Sequence, residues 1–269
     1  ALGNKGVILI VGAVNSGKST TQTAIMAGLP KNQKIVEISD QIEVELNHVV
    51  QLQLPTTGTD DDLEKSKAEL IKLPTRHDVD YIAINEIRDQ TTASMLASMM
   101  MQGTQGITSI HGSRWGDAIN RLLPGELGVS PKVLFSDSFF NAIVFQTLTG
   151  VLCRECKLRH CDDPFWDDHY RRGFGPDAAE SLRFKNPDGC ETCNFSGIEG
   201  LTLVAEVIRI DATNRRLLED PSDSGPMTRW MADNGVLNVH QHAHMKIVAG
   251  LIDPVQVRPK IGDFSSHNL

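Results

Sequence analysis

One octapeptide near the start constrains this chain more than any other feature. Gly12-Ala13-Val14-Asn15-Ser16-Gly17-Lys18-Ser19 satisfies G-x-x-x-x-G-K-[ST] at every position and follows the apolar run Val7-Ile8-Leu9-Ile10-Val11. A buried strand, a glycine-flanked turn and a helix in that order let successive backbone N–H groups point at phosphate oxygens, with the positive end of the helix behind them. A nucleoside triphosphate is the expected ligand. Lys18 would reach the β- and γ-phosphates, Ser19 would offer its hydroxyl to Mg²⁺, and Thr20 would touch the α-phosphate. Gly12, Asn15, Ser16 and Gly17 complete the cradle. A chance glycine-rich turn is the alternative, and the placement of a full motif between strand and helix weighs against it.

The same alternation continues along the chain. Strands are expected at residues 7–11, 34–38, 81–84, 107–111 and 142–146, and helices at 18–28, 63–73 (begun by Asp60-Asp61-Asp62), 91–101 and 117–123. Alternating strands and helices imply an α/β fold with a mostly parallel sheet covered on both faces. Ligands of such sheets bind beyond the carboxyl ends of the strands. That rule gathers the P-loop, Asp40 and Glu43, Glu86 and Arg88, and His111 along one rim.

The net charge of −8 argues against a surface that coats nucleic acid. No apolar run has the length of a membrane span and nothing at the start resembles a signal peptide, so a cytosolic protein is expected. The first strand begins almost at once, so Ala1 reads as a cut and a preceding domain as missing.

Phosphoryl transfer to water needs a metal, a group that orients the water and cations that neutralise developing charge. Glu86 stands where a carboxylate would hold Mg²⁺ or polarise the nucleophile. Asp40 and Glu43 would face the γ-phosphate from a neighbouring strand end, or Asp40 would merely cap a turn. Arg88 could stabilise transition-state charge or pair with Glu86 or Asp89 as scaffold. His111 could contact the γ-phosphate or be a satisfied core histidine.

Four of the five cysteines form two C-x2-C pairs, Cys153/Cys156 and Cys190/Cys193. Four thiolates with no open position make a structural Zn²⁺ site rather than a catalytic one. The intervening residues 157–188 are poor in aliphatics and are expected to lack a core of their own, with metal binding supplying the folding energy. Cys161, beside His160, reads as a free thiol. His240, His242 and His244 alternate on an expected helix, where neighbours two apart diverge, so they suit a solvated or inter-subunit face better than one metal. The Met95, Met99, Met100, Met101 cluster reads as packing. Helices are expected at 227–233 and 240–250, with another begun by Asp253-Pro254.

The P-loop, an acid-ended second strand, Glu86-Ile87-Arg88-Asp89 after an apolar strand and Ser109-Ile110-His111 resemble the hexameric ATPases of type II secretion and type IV pilus assembly, over residues 6–257. Asp40 and Glu43 match that family's Asp box, Glu86, Arg88 and Asp89 its Walker B region, and His111 the second histidine of its His box. Ser39, Gln41, Asn85, Thr104 and Leu201 depart from the family pattern, as in a divergent member of a plasmid-borne or type IVb pilus system. The resemblance implies a RecA-like P-loop core at 1–150, a zinc-binding tetracysteine subdomain at 151–200, and a returning strand with C-terminal helices at 201–269. It also implies Mg-dependent ATP hydrolysis with Glu43 as the best candidate for the water-orienting base, although Glu86 competes for that role. A ring of six, a membrane platform partner, a peripheral place at the inner membrane and weak activity for this chain alone follow from the same resemblance. The tetracysteine module favours pilus extension or secretion over retraction. A conjugation or type IV secretion traffic ATPase, a nucleic-acid motor and a nucleotide-gated binding module are the alternatives.

Overall fold

The computed structural model describes residues 5–55, 69–70 and 78–263. The helix expected at 63–73 and its acidic start fall almost entirely outside the described residues. Among those described, seven strands form one sheet: β1 (Val7–Val11), β2 (Ile35–Ser39), β3 (Val49–Gln53), β4 (Tyr81–Glu86), β5 (Gln105–Ile110), β6 (Phe140–Leu152) and β7 (Ile198–Arg209), in the order β3-β2-β4-β5-β1-β6-β7. The pairs β1–β5, β1–β6, β2–β3, β2–β4 and β4–β5 are all parallel. Every residue of β1 and β2 is buried, as a central strand covered on both faces requires. β3 was not expected: its sequence Val-Val-Gln-Leu-Gln is short and half-exposed.

By contact the chain divides into two units, Ala1–Phe145 with Val207–Asn234, and Gln146–Glu206 with Gly235–Leu269. This division differs from the expected cuts at 150 and 200, because β6 and β7 each contribute residues to both units.

In the first unit, α1 (Lys18–Ala27) leaves the P-loop from Gly17, whose backbone is left-handed and whose position carries no capping side chain. α2 (Gln90–Gln102) is started by Asp89, which accepts from the Thr92 N–H at 2.7 Å, and is closed by left-handed Gly103. Its Leu96, Met99 and Met100 are buried, so the methionine cluster is largely packing. α3 (Trp115–Leu122) buries Trp115, Ala118, Ile119 and Leu122, the spacing of one helical face. The short α4 (Pro131–Leu134) and the later α7 (Gly225–Asp233) complete this unit.

The second unit holds α5 (Pro164–Phe174), α6 (Pro176–Ala179), α8 (Val239–Val248) and α9 (Pro254–Ile261). Residues 157–188 were expected to lack a core of their own, and their buried side chains are shared with helices outside the segment. Tyr170, Leu182 and Phe184 are almost fully buried. Trp166 stacks on Tyr170 at 5.8 Å, the Arg258 guanidinium lies 4.4 Å over Trp166, and Phe174 stacks on His244 at 4.9 Å. Aromatic rings supply the apolar area that aliphatics do not.

His242 Nδ1 meets the Ala205 backbone on β7 at 3.0–3.1 Å, and His244 is held by its ring contact, with burial lowering its pKa. The histidines diverge as expected, and these two are half-buried, one on the backbone of β7 and one on a ring.

Candidate functional site

The carboxyl ends of β1, β2, β4 and β5 surround a cleft of about 430 Å³ in the first unit. Its lining includes Asn15, Ser16, Gly17, Lys18, Ser19 and Thr20 of the P-loop together with Asp40, Glu43, Glu86, Arg88 and His111. Asn15 and Gly17 both have positive φ, 60° and 82°, which curls the turn over the start of α1. With no side chain capping α1, the first-turn N–H groups stay directed at the cleft. Lys18 folds back and donates to the Gly12 carbonyl at 3.0 Å and the Ala13 carbonyl at 2.9 Å. Burial lowers its pKa, while the nearby Glu86 carboxylate opposes that shift.

A chain of side-chain contacts crosses three strand ends. His111 Nε2 lies 3.0 Å from Glu86 Oε1, Arg88 reaches Glu86 Oε2 at 2.7 Å, and Arg88 also meets Asp40 Oδ2 at 3.1 Å. The Glu86 side chain is only 8% exposed, whereas Arg88 is 60% exposed. The hydrogen bond to Glu86 is the main reason that the Arg88 pKa is raised. Asp89 caps α2. The pairing of β4 with β5 shifts register between Ile84 and Glu86, and Ser109 Oγ donates to the carbonyl of Asn85 at 2.7 Å. A bulge at Asn85 therefore re-aims Glu86 at the end of the strand.

Glu43 sits on the loop after β2, lines the same cleft, and makes no hydrogen bond or ion pair among the described residues. Asp40 is tied to Arg88 rather than only to its own turn, whose closure comes from Ser39 Oγ donating to the Gln41 carbonyl at 2.6 Å. Thr104 precedes β5, at the opposite end of that strand from His111. Arg121, which sequence reasoning passed over, donates to the His111 carbonyl at 2.7 Å and pairs with Glu126 at 2.6 Å. Its only signal was a basic residue on the helix that follows the histidine.

The donor set suits the expected ligands. The P-loop residues with Lys18, and the Ser19 hydroxyl and Glu86 carboxylate, both oxygen ligands, line the same cleft.

In the second unit the sulfurs of Cys153, Cys156, Cys190 and Cys193 all lie within 4.8 Å of one another. The Cys153–Cys190, Cys156–Cys193 and Cys190–Cys193 pairs are each 3.8 Å apart, too long for disulfides and of the scale of a tetrahedral thiolate cage. Cys193 Sγ accepts N–H groups from Cys190 at 3.2 Å and Gly197 at 3.1 Å. Burial works against ionisation of Cys193, but those donors outweigh it and hold its pKa down. These residues fit a zinc ion. Cys161 stands apart from the cage; its N–H bonds Asp167, and burial raises its thiol pKa.

The comparisons with known proteins converge. A family model described as type II/IV secretion system protein matches residues 2–258. The type II secretion system protein E of Aeromonas hydrophila is 28% identical over 230 residues, covering 85% of this chain and 43% of that protein. The chain thus spans less than half the length of this relative. The ATPase DotB of Legionella pneumophila superposes with a TM-score of 0.63 at 18% identity, covering 95% of this chain and 60% of DotB. The pilus retraction motor PilT, solved with bound ADP, gives the same TM-score and identity over 92% of this chain and 59% of PilT. Both likenesses establish the fold, a P-loop ATPase sheet.

Proposed function

The chain belongs to the type II/IV secretion system protein family, and from that premise we propose that it is the ATP-hydrolysing part of a motor for pilus assembly or type II-like secretion. The observation that carries the proposal is the convergence of Glu43, Glu86, Arg88 and His111 on the cleft of the P-loop.

In this reading the loop N–H groups and Lys18 hold the phosphates. The ammonium exchanges the Gly12 and Ala13 carbonyls for phosphate oxygens, and partial burial strengthens that contact. Ser19 and Glu86 would hold Mg²⁺, which when bound neutralises phosphate charge. Glu43 is the residue that orients the attacking water and takes its proton. It makes no hydrogen bond or ion pair among the described residues, whereas Glu86 is engaged by His111 and Arg88. Arg88 is near enough to Glu86 to move from that carboxylate to the γ-phosphate as charge develops, and His111 holds Glu86 from the other side.

The larger setting belongs to the same proposal: a homohexamer, a platform protein at the inner membrane, a cytoplasmic location and no direct contact with nucleic acid. None of the helices among the described residues is long and apolar enough to cross a membrane. The thiolate cage supports an assembly or secretion motor over a conjugation traffic ATPase, and about one zinc per chain by metal analysis is expected. Turnover of Mg·ATP by the wild type, Glu43→Gln and Glu86→Gln tests the core of the proposal. Background hydrolysis in all three would leave a nucleotide-gated binding module.

A further inference from the structure

In the loop that carries Glu43, Leu46 packs against the core, but the stretch before it has little apolar anchorage. Asp40, Gln41, Glu43, Val44 and Glu45 are all exposed. It is held instead by β3. Gln51 of β3 and Glu37 of β2 are register partners on parallel strands. The Gln51 amide uses that position for three hydrogen bonds. Nε2 donates to Glu37 Oε2 at 2.6 Å and to the Val44 carbonyl at 2.9 Å, while Oε1 accepts the Leu46 N–H at 2.8 Å. Two of these bonds grip the backbone just after Glu43, and the third fixes the amide to a carboxyl on a residue only 8% exposed. The other side of the loop is secured by Ser39 and by Gln53, which donates to the Asp40 carbonyl at 3.2 Å.

We infer that Gln51 is a positioning residue for Glu43: its amide, braced on Glu37, fixes the turn at 44–46 so that the Glu43 carboxylate stays at the cleft shared with Lys18 and Ser19. The inference rests on the proposed role of Glu43. It follows from geometry rather than from contact with nucleotide, since Gln51 does not line the cleft. Both groups of one primary amide are spent on a single short turn, whose one apolar anchor among the described residues is Leu46 against the core. Displacements of about 1 Å in a reacting group cost on the order of a hundredfold in rate, so loss of this clamp should be read in turnover. Glu37 matches its part: burial pushes its carboxyl pKa up, and the Gln51 amide partly offsets that.

The test is a double-mutant cycle on the complete protein with Mg·ATP, scoring kcat, nucleotide affinity and thermal melting. Gln51→Met keeps the volume and removes all three hydrogen bonds. It should lower kcat by roughly tenfold to a hundredfold, leave nucleotide affinity within about twofold, and add less than about twofold in a Glu43→Gln background. If Gln51→Met does not fold, Gln51→Glu keeps the acceptor for Leu46, loses both donors and should show the same split. The further change Glu37→Gln should restore part of it by returning a donor to the pair. A deficit in Glu43→Gln with normal kcat in the Gln51 variants would overturn this inference alone. So would a Gln51 deficit that multiplies independently with that of Glu43→Gln. Normal kcat in Glu43→Gln itself would overturn both this inference and the role of Glu43.

Discussion

The turn at residues 12–19 and the turn at residues 190–197 use one backbone device. Asn15 and Gly17 in the first, and Asn194, Phe195 and Gly197 in the second, have positive φ, a curl that suits a turn to gather N–H groups around an anionic centre. In the knuckle those groups already have their partner, the Cys193 sulfur. The close fit depends on glycine: a Cβ on Gly197 would lie 2.3 Å from the Asn186 carbonyl oxygen. In the P-loop the N–H groups open onto a cleft whose walls are charged. A closed cage converts ligand affinity into folding energy. An open one can take and release a ligand, so its residues can serve turnover. The same local geometry therefore suits a closed ion cage in one region and an open ligand cleft in the other.

The comparison is most strongly tested by taking the metal away. Structural zinc of this kind contributes on the order of 10 kcal/mol to folding, so Cys190→Ser or a strong chelator should expose residues 153–197 to hydrogen exchange. Retained protection in a metal-free sample would break the distinction between closed and open turns. Next in size, Lys18→Ala should weaken ATP binding at least tenfold in a fluorescence titration, because it removes the ammonium of the P-loop from the phosphates. Unchanged affinity would move the ligand elsewhere.

Smaller effects sharpen the contrast by showing what is scaffold near the open cleft. Asp89→Ala removes the cap of α2 and should cost about 1 kcal/mol in a denaturant titration, since its carboxylate accepts the Thr92 N–H at the helix start. Smaller still is the effect of Glu37. Its folded pKa is raised above the ordinary value of 4.5, so the folded state binds more protons than the unfolded state over that interval, and stability falls as pH rises through it. Above the raised pKa the burial cost is fully present. Glu37→Gln should therefore melt slightly higher than wild type near neutral pH and lose this slope. A lower melting temperature with the slope intact would show that the carboxylate is not the source.

What the sequence made legible were features with fixed spacing. The P-loop and the paired cysteines depend on residue types at set intervals, and the polar ends of buried strands could be placed on one rim by the parallel-sheet rule. The contacts that depend on register were not legible. β3 is too short and too exposed to stand out, yet its pairing with β2 is what puts Gln51 beside Glu37. Asn85 looked like a simple replacement, while the fold uses it as a bulge that turns Glu86. The aromatic packing of Trp166, Tyr170 and Phe174 was hidden because the segment around it is charged and poor in aliphatics. His242 and His244 lay on the expected helix, but only the packed structure shows the backbone and the ring that hold them.

The most direct measurement of the central claim is single-turnover hydrolysis of Mg·ATP by Glu43→Gln and Glu86→Gln, with nucleotide affinity measured in parallel. The account predicts that both variants bind ATP while hydrolysis falls by about a hundredfold to a thousandfold. Wild-type hydrolysis rates in both variants would contradict it.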